Sequence, residues 1–223
     1  MHVRRSQFQL QFHILDSCVI WGAACISDSV KDNYGYGQSG NPTQQQMCGA
    51  YESDIVGISI IRPCKWQVKE MSEIVSLVSP DEGSSDRVLE TVDVSLYPTF
   101  GMGLTDFADF LARDFYPKNL GSSFSPVLED SRVINGRESG LLVYDYFDES
   151  LGVPLRAMDV SVQSGDYFYL LTYTADKNSY EKYLPIVTQV VESLEIISAP
   201  KIQGESGSSD RGSQDHLTGG LGA

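Results

Sequence analysis

The sequence predicts an α+β domain: an antiparallel β-sheet sandwiched by helices. Three observations predict it. Apolar and polar residues alternate over several stretches, turn dipeptides join pairs of such stretches, and two segments carry apolar stripes of helical period. No cofactor fingerprint or nucleophile motif accompanies them, so the elements come first and the chemistry after.

The segment Tyr51 to Trp66 opens the domain. Its Ile58-Ser-Ile-Ile61 run is a strand signal, and Pro63 stops it because proline cannot donate to a sheet ladder. Trp66 starts the next run and is large enough to anchor a core. Val92, Val94 and Leu96 alternate with Thr91, Asp93 and Ser95, and Met158, Val160 and Val162 alternate with Asp159, Ser161 and Gln163. Each pattern predicts a strand with one wet face. Asn135-Gly136, between Ser131-Arg-Val-Ile134 and Leu141 to Tyr146, predicts a two-residue hairpin because both positions tolerate positive φ. Ser164-Gly165 predicts a second one between 156–163 and 167–174. Tyr167 to Tyr173 is apolar on both faces and should lie at the sheet centre.

The first helix is predicted at about 105–116. Thr105 is its cap, Asp106 and Asp109 favour the positive helix start, Phe107, Phe110, Leu111 and Phe115 form the stripe, and Pro117 ends it. The second has Asn178 as cap with Glu181 three residues on. Its stripe comprises Tyr180, Tyr183, Leu184, Val187, Val190, Val191 and Leu194. Pro185 inside that stripe should kink or restart the helix, leaving Ser179 to Leu184 as a separate turn.

A chain of 223 residues can hold one domain with tails. The formal charge is −14, and 24 acidic against 11 basic residues fall between 51 and 197. Such a surface repels phosphate backbones, which argues against a nucleic-acid partner. Residues 1–25 start basic and end in Cys18-Val-Ile-Trp-Gly-Ala-Ala-Cys25, which reads as an export signal whose Gly22-Ala-Ala-Cys25 resembles a lipobox, with Cys25 the candidate lipidation site. Asp16 interrupts the apolar region at a cost of about 2.5–3.5 kcal/mol on insertion scales, so a disordered leader or a mis-assigned start is the alternative. Residues 26–50 are expected to be a flexible linker and 198–223 a disordered tail, both poor in aliphatics and rich in turn formers. The folded domain is placed at 51–197.

His2, His13 and His216 all lie outside 51–197, which excludes a histidine-ligated metal or a histidine-activated nucleophile within that segment. Gly101-Met-Gly103 reads as a strand-to-helix turn, since Asp106 and Asp109 already place negative charge where a phosphate would sit. Asp81, Glu82 and Asp86, and Asp145, Asp148 and Glu149, offer carboxylates to a hard cation, Ca²⁺ or Mn²⁺. Neither set matches a calcium loop, and solvated turns are the simpler reading, so no cofactor is expected. Cys64 reads either as a small buried residue beside Trp66 or, in an oxidising compartment, as the disulfide partner of Cys48.

The ordered set Tyr51-Glu52, Gly57-Ile-Ser-Ile-Ile-Arg-Pro63, Trp66, Leu104-Thr-Asp-Phe107, Ile134-Asn-Gly136, Tyr173-Thr-Ala175, Tyr180-Glu-Lys-Tyr-Leu-Pro185 and Ser193-Leu194 resembles PsbP-type domains. Ile58 and Arg62 stand where aromatics are usual in that family. The resemblance implies an α/β/α sandwich, shared by the extrinsic lumenal P subunit of photosystem II, lipoprotein and exported prokaryotic relatives, and a nuclear Ran-release factor. It also implies binding or complex assembly rather than catalysis. Residues 26–50 do not match the family's functional N-terminal region, so no photosystem role is carried over. The function expected is that of a non-catalytic, extracytoplasmic protein, on the cell surface or in a lumen, with a protein partner and a membrane surface reached through the N-terminal anchor. The rivals are a hydrolase with paired carboxylates in a cleft and a soluble nuclear Ran binder.

Overall fold

The computed structural model describes residues 46–201 apart from 72, 84 and 85. Five strands, β1 (Met47–Ser53), β2 (Ile58–Pro63), β3 (Gln67–Met71), β4 (Ile74–Val78) and β5 (Thr91–Pro98), precede the first helical segment. That segment is α1 (Leu104–Phe110), a π-helical turn (Leu111–Phe115), α2 (Tyr116–Leu120) and a 3₁₀ turn (Gly121–Ser123). Then come β6 (Ser125–Ile134), β7 (Arg137–Asp148), β8 (Val153–Ser164), β9 (Tyr167–Asp176), α3 (Tyr180–Glu192) and β10 (Glu195–Ile196).

Seven strands form one antiparallel sheet in the order β3-β4-β5-β9-β8-β7-β6, and β1-β2-β10 form a small one. Pro63 closes β2 as its missing donor requires, and β9 is the middle strand of the large sheet. One face of that sheet (Val92, Val94, Val160, Leu171, Tyr173) packs under α3 and β2, with Trp66 edge-on to Tyr183 at 6.1 Å. The other face (Tyr97, Leu142, Tyr144, Phe168) packs under α1 to α2. Phe107 stacks on Phe168 at 4.1 Å. This is an α+β fold with helices on both sides of the sheet.

Several expectations change. The polar faces of β5 and β8 are not wet: Thr91, Ser95, Asp159 and Ser161 are all buried, because both strands lie inside a sheet roofed on both sides. The cap of α1 is Gly103 rather than Thr105, and that of α3 is Ser179 rather than Asn178; neither makes a side-chain capping bond. Asn178 instead turns to Asp176, 3.0 Å away. Pro117 does not end the first helix. It falls in the first turn of α2, where its missing N–H is tolerated, directly after the π-helical turn has re-registered the ladder. Pro185 does not divide α3 either, since Tyr180 and Tyr183 before it and Ile186, Val187, Val190 and Val191 after it are all buried on one helix. Packing there outweighs the lost backbone bond.

The Asn135-Gly136 hairpin forms with φ of 47° and 74° and pairs Ile134 with Arg137. The second turn shifts by one residue to Gly165-Asp166, because Ser164 already pairs with Tyr167. The domain also outruns its expected limits. β1 starts at Met47, inside the expected linker, and Lys201 N donates to Ile55 O at 2.9 Å, beyond the expected domain end. That returning chain crosses Gly57 so closely that a Cβ there would stand 2.3 Å from the Ser198 carbonyl oxygen. Among the described residues no helix is long and apolar enough to cross a membrane.

Candidate functional site

α3 lies over β9 and against β2, so it leaves the outer strands of the large sheet partly uncovered on its own side. An open groove of about 440 Å³ runs there, a volume in the ordinary range of ligand sites. Leu141 and Val143 of β7 and Met158 and Val160 of β8 floor it, with Leu184 and Val191 of α3 as one wall. β6 is the other wall. Its outer edge pairs with no described strand, and Val127, Leu128 and Val133 on it are 49%, 44% and 70% exposed.

Four charged residues rim the groove: Arg132, Arg156, Glu181 and Glu192. Arg156 is fixed in place. Its Nε and Nη2 donate to Asp145 Oδ1 and Oδ2 at 2.7 and 3.1 Å, and its guanidinium sits 5.5 Å over the Tyr180 ring. Lys177 adds a second cation 2.7 Å from Asp145. Arg156 above all, with Lys177, holds the Asp145 carboxyl below its ordinary range, and Asp145 in turn raises Arg156. Arg132 pairs with none of the described carboxylates. Glu181 and Glu192 stand eleven residues apart on α3, which is about 16 Å along the axis at 1.5 Å per residue. A paired-carboxylate hydrolase needs about 5–10 Å, so these two do not form its site.

Of the residues singled out from sequence, Asp145 meets the groove as the partner of Arg156, and the others lie elsewhere. Cys25 falls outside the described residues. Cys48 and Cys64 are bonded through sulfur with Cα atoms 4.8 Å apart, tying β1 to the turn after β2. The acidic loops turn to the protein's own donors. Asp81 Oδ1 accepts from Gly83 N at 2.7 Å, Asp86 Oδ2 from Glu82 N at 3.0 Å, and Glu82 Oε1 from the Tyr183 hydroxyl at 2.6 Å. Asp148 Oδ1 accepts from Ser150 N at 2.9 Å and Leu151 N at 3.0 Å. Arg87 Nη2 links the two loops by donating to Leu151 O at 2.9 Å. Among the described residues no three metal-ligating side chains gather.

One buried acid is of a different kind. Asp159 is 2% exposed, lies on β8 and accepts a hydrogen bond from the hydroxyl of Tyr116 on α2. Its Oδ1 has no hydrogen-bond partner among the described residues. Burial raises its carboxyl to about 7, against the opposing pull of Tyr116 and Thr172. Its enclosure keeps a substrate away, so its effect is on stability.

Sequence reading missed Arg132, Arg156 and the whole groove. The available signal was β6 itself, a ten-residue strand with nine exposed residues, but an edge strand betrays itself only once its single neighbour is known.

No protein-family model matches the chain, and no curated protein is significantly similar to it. Solved structures are. The Ran-binding protein Mog1p of Saccharomyces cerevisiae superposes with a TM-score of 0.52 at 12% identity, over 70% of this chain and 97% of that one. LpqN of Mycobacterium tuberculosis, described as involved in cell envelope biogenesis, gives 0.50 at 15%, over 69% and 91%. Cyanobacterial PsbP of Synechocystis gives 0.49 at 13%, over 72% and 98%. At such identities a superposition speaks for architecture alone, and with its central antiparallel sheet between helices this chain shares the fold of Mog1p and LpqN.

Proposed function

We propose that this chain is a non-catalytic binding protein that seats a protein partner in the groove between α3 and β6–β8, working outside the cytoplasm and held at a membrane surface by its N-terminal segment. The observation that carries this is the groove, whose apolar floor suits the aliphatic side chains of a peptide and whose rim charges orient its polar flanks. Mog1p, of the same fold, is a Ran-binding protein. Leu184 is the residue to test, because it faces the groove from α3 and is only half-buried. Intact protein and its Leu184→Glu variant are used to pull down partners from native membranes, with mass spectrometry of the N-terminus. The parent should enrich one partner at least about tenfold over the variant, as loss of a central apolar anchor implies, with unchanged far-UV circular dichroism and a lipid on Cys25. Equal recovery from parent and variant would remove the groove from the account.

The Cys48–Cys64 bond belongs to the same proposal, since structural disulfides persist in oxidising compartments. Replacing both cysteines by serine should cost about 3 kcal/mol in urea unfolding, as closure of a loop of this length predicts. Reductant should bring the parent to the level of the variant. A parent purified from its native compartment with both thiols free would contradict the pairing.

A further inference from the structure

We infer that the free edge of β6 pairs with β6 of a second copy of this chain, antiparallel and centred on Ser131. The inference stands independently of what the groove binds. The two-residue Asn135-Gly136 turn makes Ile134 and Arg137 a hydrogen-bonded pair. Alternation then directs the backbone groups of Arg132, Asp130 and Leu128 inward to β7, and those of Val133, Ser131 and Glu129 to the open edge. One detail agrees with this assignment. Ser131 N donates to the neighbouring Asp130 carboxylate at 2.8 Å, not to a strand.

Charge chooses the register. When two copies extend one sheet, the two-fold axis stands perpendicular to it, so directly opposed residues share a face and the pairing is centred on a residue. Centres at Glu129, Asp130 or Arg132 set like charges against each other. A centre at Val133 soon runs the strand into the Asn135-Gly136 turn. The centre at Ser131 sets Arg132 opposite Asp130 twice and Ile134 opposite Leu128 twice. It also gives hydrogen-bonded pairs at Ser131–Ser131 and Val133–Glu129. Opposite charges and apolar side chains facing each other are what stabilises a strand pair.

The edge is suited to this pairing. From Val127 to Ile134 it has no proline and no lysine, two of the usual devices that block strand addition. Arg132 pairs with none of the described carboxylates, and Val133 is 70% exposed. The bulge between Pro126 and Leu128 confines the straight part of the strand to the segment that would pair. Two sheets of seven strands would then join into one. Both grooves would open on the same face, with Asp130 of the second copy meeting Arg132 at the rim.

Sedimentation velocity of the full chain at 0.15 M salt, from about 1 µM upward, tests the pairing; screening there limits repulsion between two acidic bodies to about 8 Å. Dimers are expected. Arg132→Asp sets four carboxylates around the dyad and should weaken association by about tenfold or more. The exchanged variant Asp130→Arg/Arg132→Asp should restore it, since each new arginine again faces an aspartate. A parent that stays monomeric to about 1 mM overturns the inference. So does a dimer that Arg132→Asp leaves intact, or one that the exchange fails to rescue.

Discussion

At pH 8 the Asp159→Asn variant unfolds at higher denaturant concentration than the parent, and at pH 4 the two coincide. The cause is a carboxyl that gives up its proton near neutral pH when buried but near pH 4 in the unfolded chain, so that at pH 8 the fold carries a charge it solvates poorly. Burial lifts it to about 7 in the folded chain from 3.8 in water. Between those values the folded state holds a proton that the unfolded state has lost, so stability falls as pH rises from about 4 to about 7 and is flat above. That difference amounts to about 4 kcal/mol at full extent, and a gain of about 2–4 kcal/mol at pH 8 is expected once the amide reproduces the neutral acid. Glu90 and Asp93, which burial also raises, and Asp145, which Arg156 lowers, titrate in opposite senses and are common to both proteins, so the difference between the two curves isolates Asp159. Urea titrations of both proteins from pH 4 to pH 8 measure this. Equal stability of parent and variant at pH 8 would show that Asp159 is charged and satisfied in the fold.

The same residue marks the limit of what the sequence discloses. Alternation along 156–163 correctly predicts a strand, but Asp159 in that pattern reads as solvent-facing, because alternation reports only that two faces differ. Whether the polar face meets water depends on a second helical layer contributed by residues forty or more positions earlier. Local signals transfer well for the same reason. Pro63, Asn135-Gly136 and the doubly apolar Tyr167 to Tyr173 act through their own backbone or their own two faces, and each appears where expected. Thr105, Asn178, Pro117 and Pro185 fail because capping and breaking are weak preferences, about 1 kcal/mol for a cap and 3 for an interior proline. Pro117 falls where a new helix starts and its N–H is not needed, while at Pro185 the burial of Ile186, Val187, Val190 and Val191 outweighs the lost bond. The groove has only the exposed run of β6 as a local sign. It arises where α3 ends its cover of the sheet, and strand order across β8, β7 and β6 decides that.

Phe107→Ala should cost about 3–5 kcal/mol, the range for deleting a buried phenylalanine, and its damage should stay on one side of the sheet. Phe107 is 0% exposed. It stacks on Phe168 at 4.1 Å and leans on Tyr97 at 5.8 Å. α1 has only seven residues and no side-chain cap, too short to persist without its packing. Gly140 shows how close that packing is, since a Cβ there would lie 3.4 Å from the Ala108 side chain. Loss of the ring therefore frees the whole run from Leu104 to Ser123 before it loosens α3. That helix has its own anchors on the opposite face: Trp66 against Tyr183, and Glu90 accepting from Ser79 and Ser179 at 2.9 and 2.8 Å. Amide hydrogen exchange separates the two layers, with residues 104–123 expected to lose protection well ahead of 180–192. Phe107→Leu should fall between parent and alanine, since it refills part of the space. A loss below about 1 kcal/mol on Phe107→Ala, or exchange that accelerates equally in both helical layers, would mean that the sheet does not divide the core into two separately held halves.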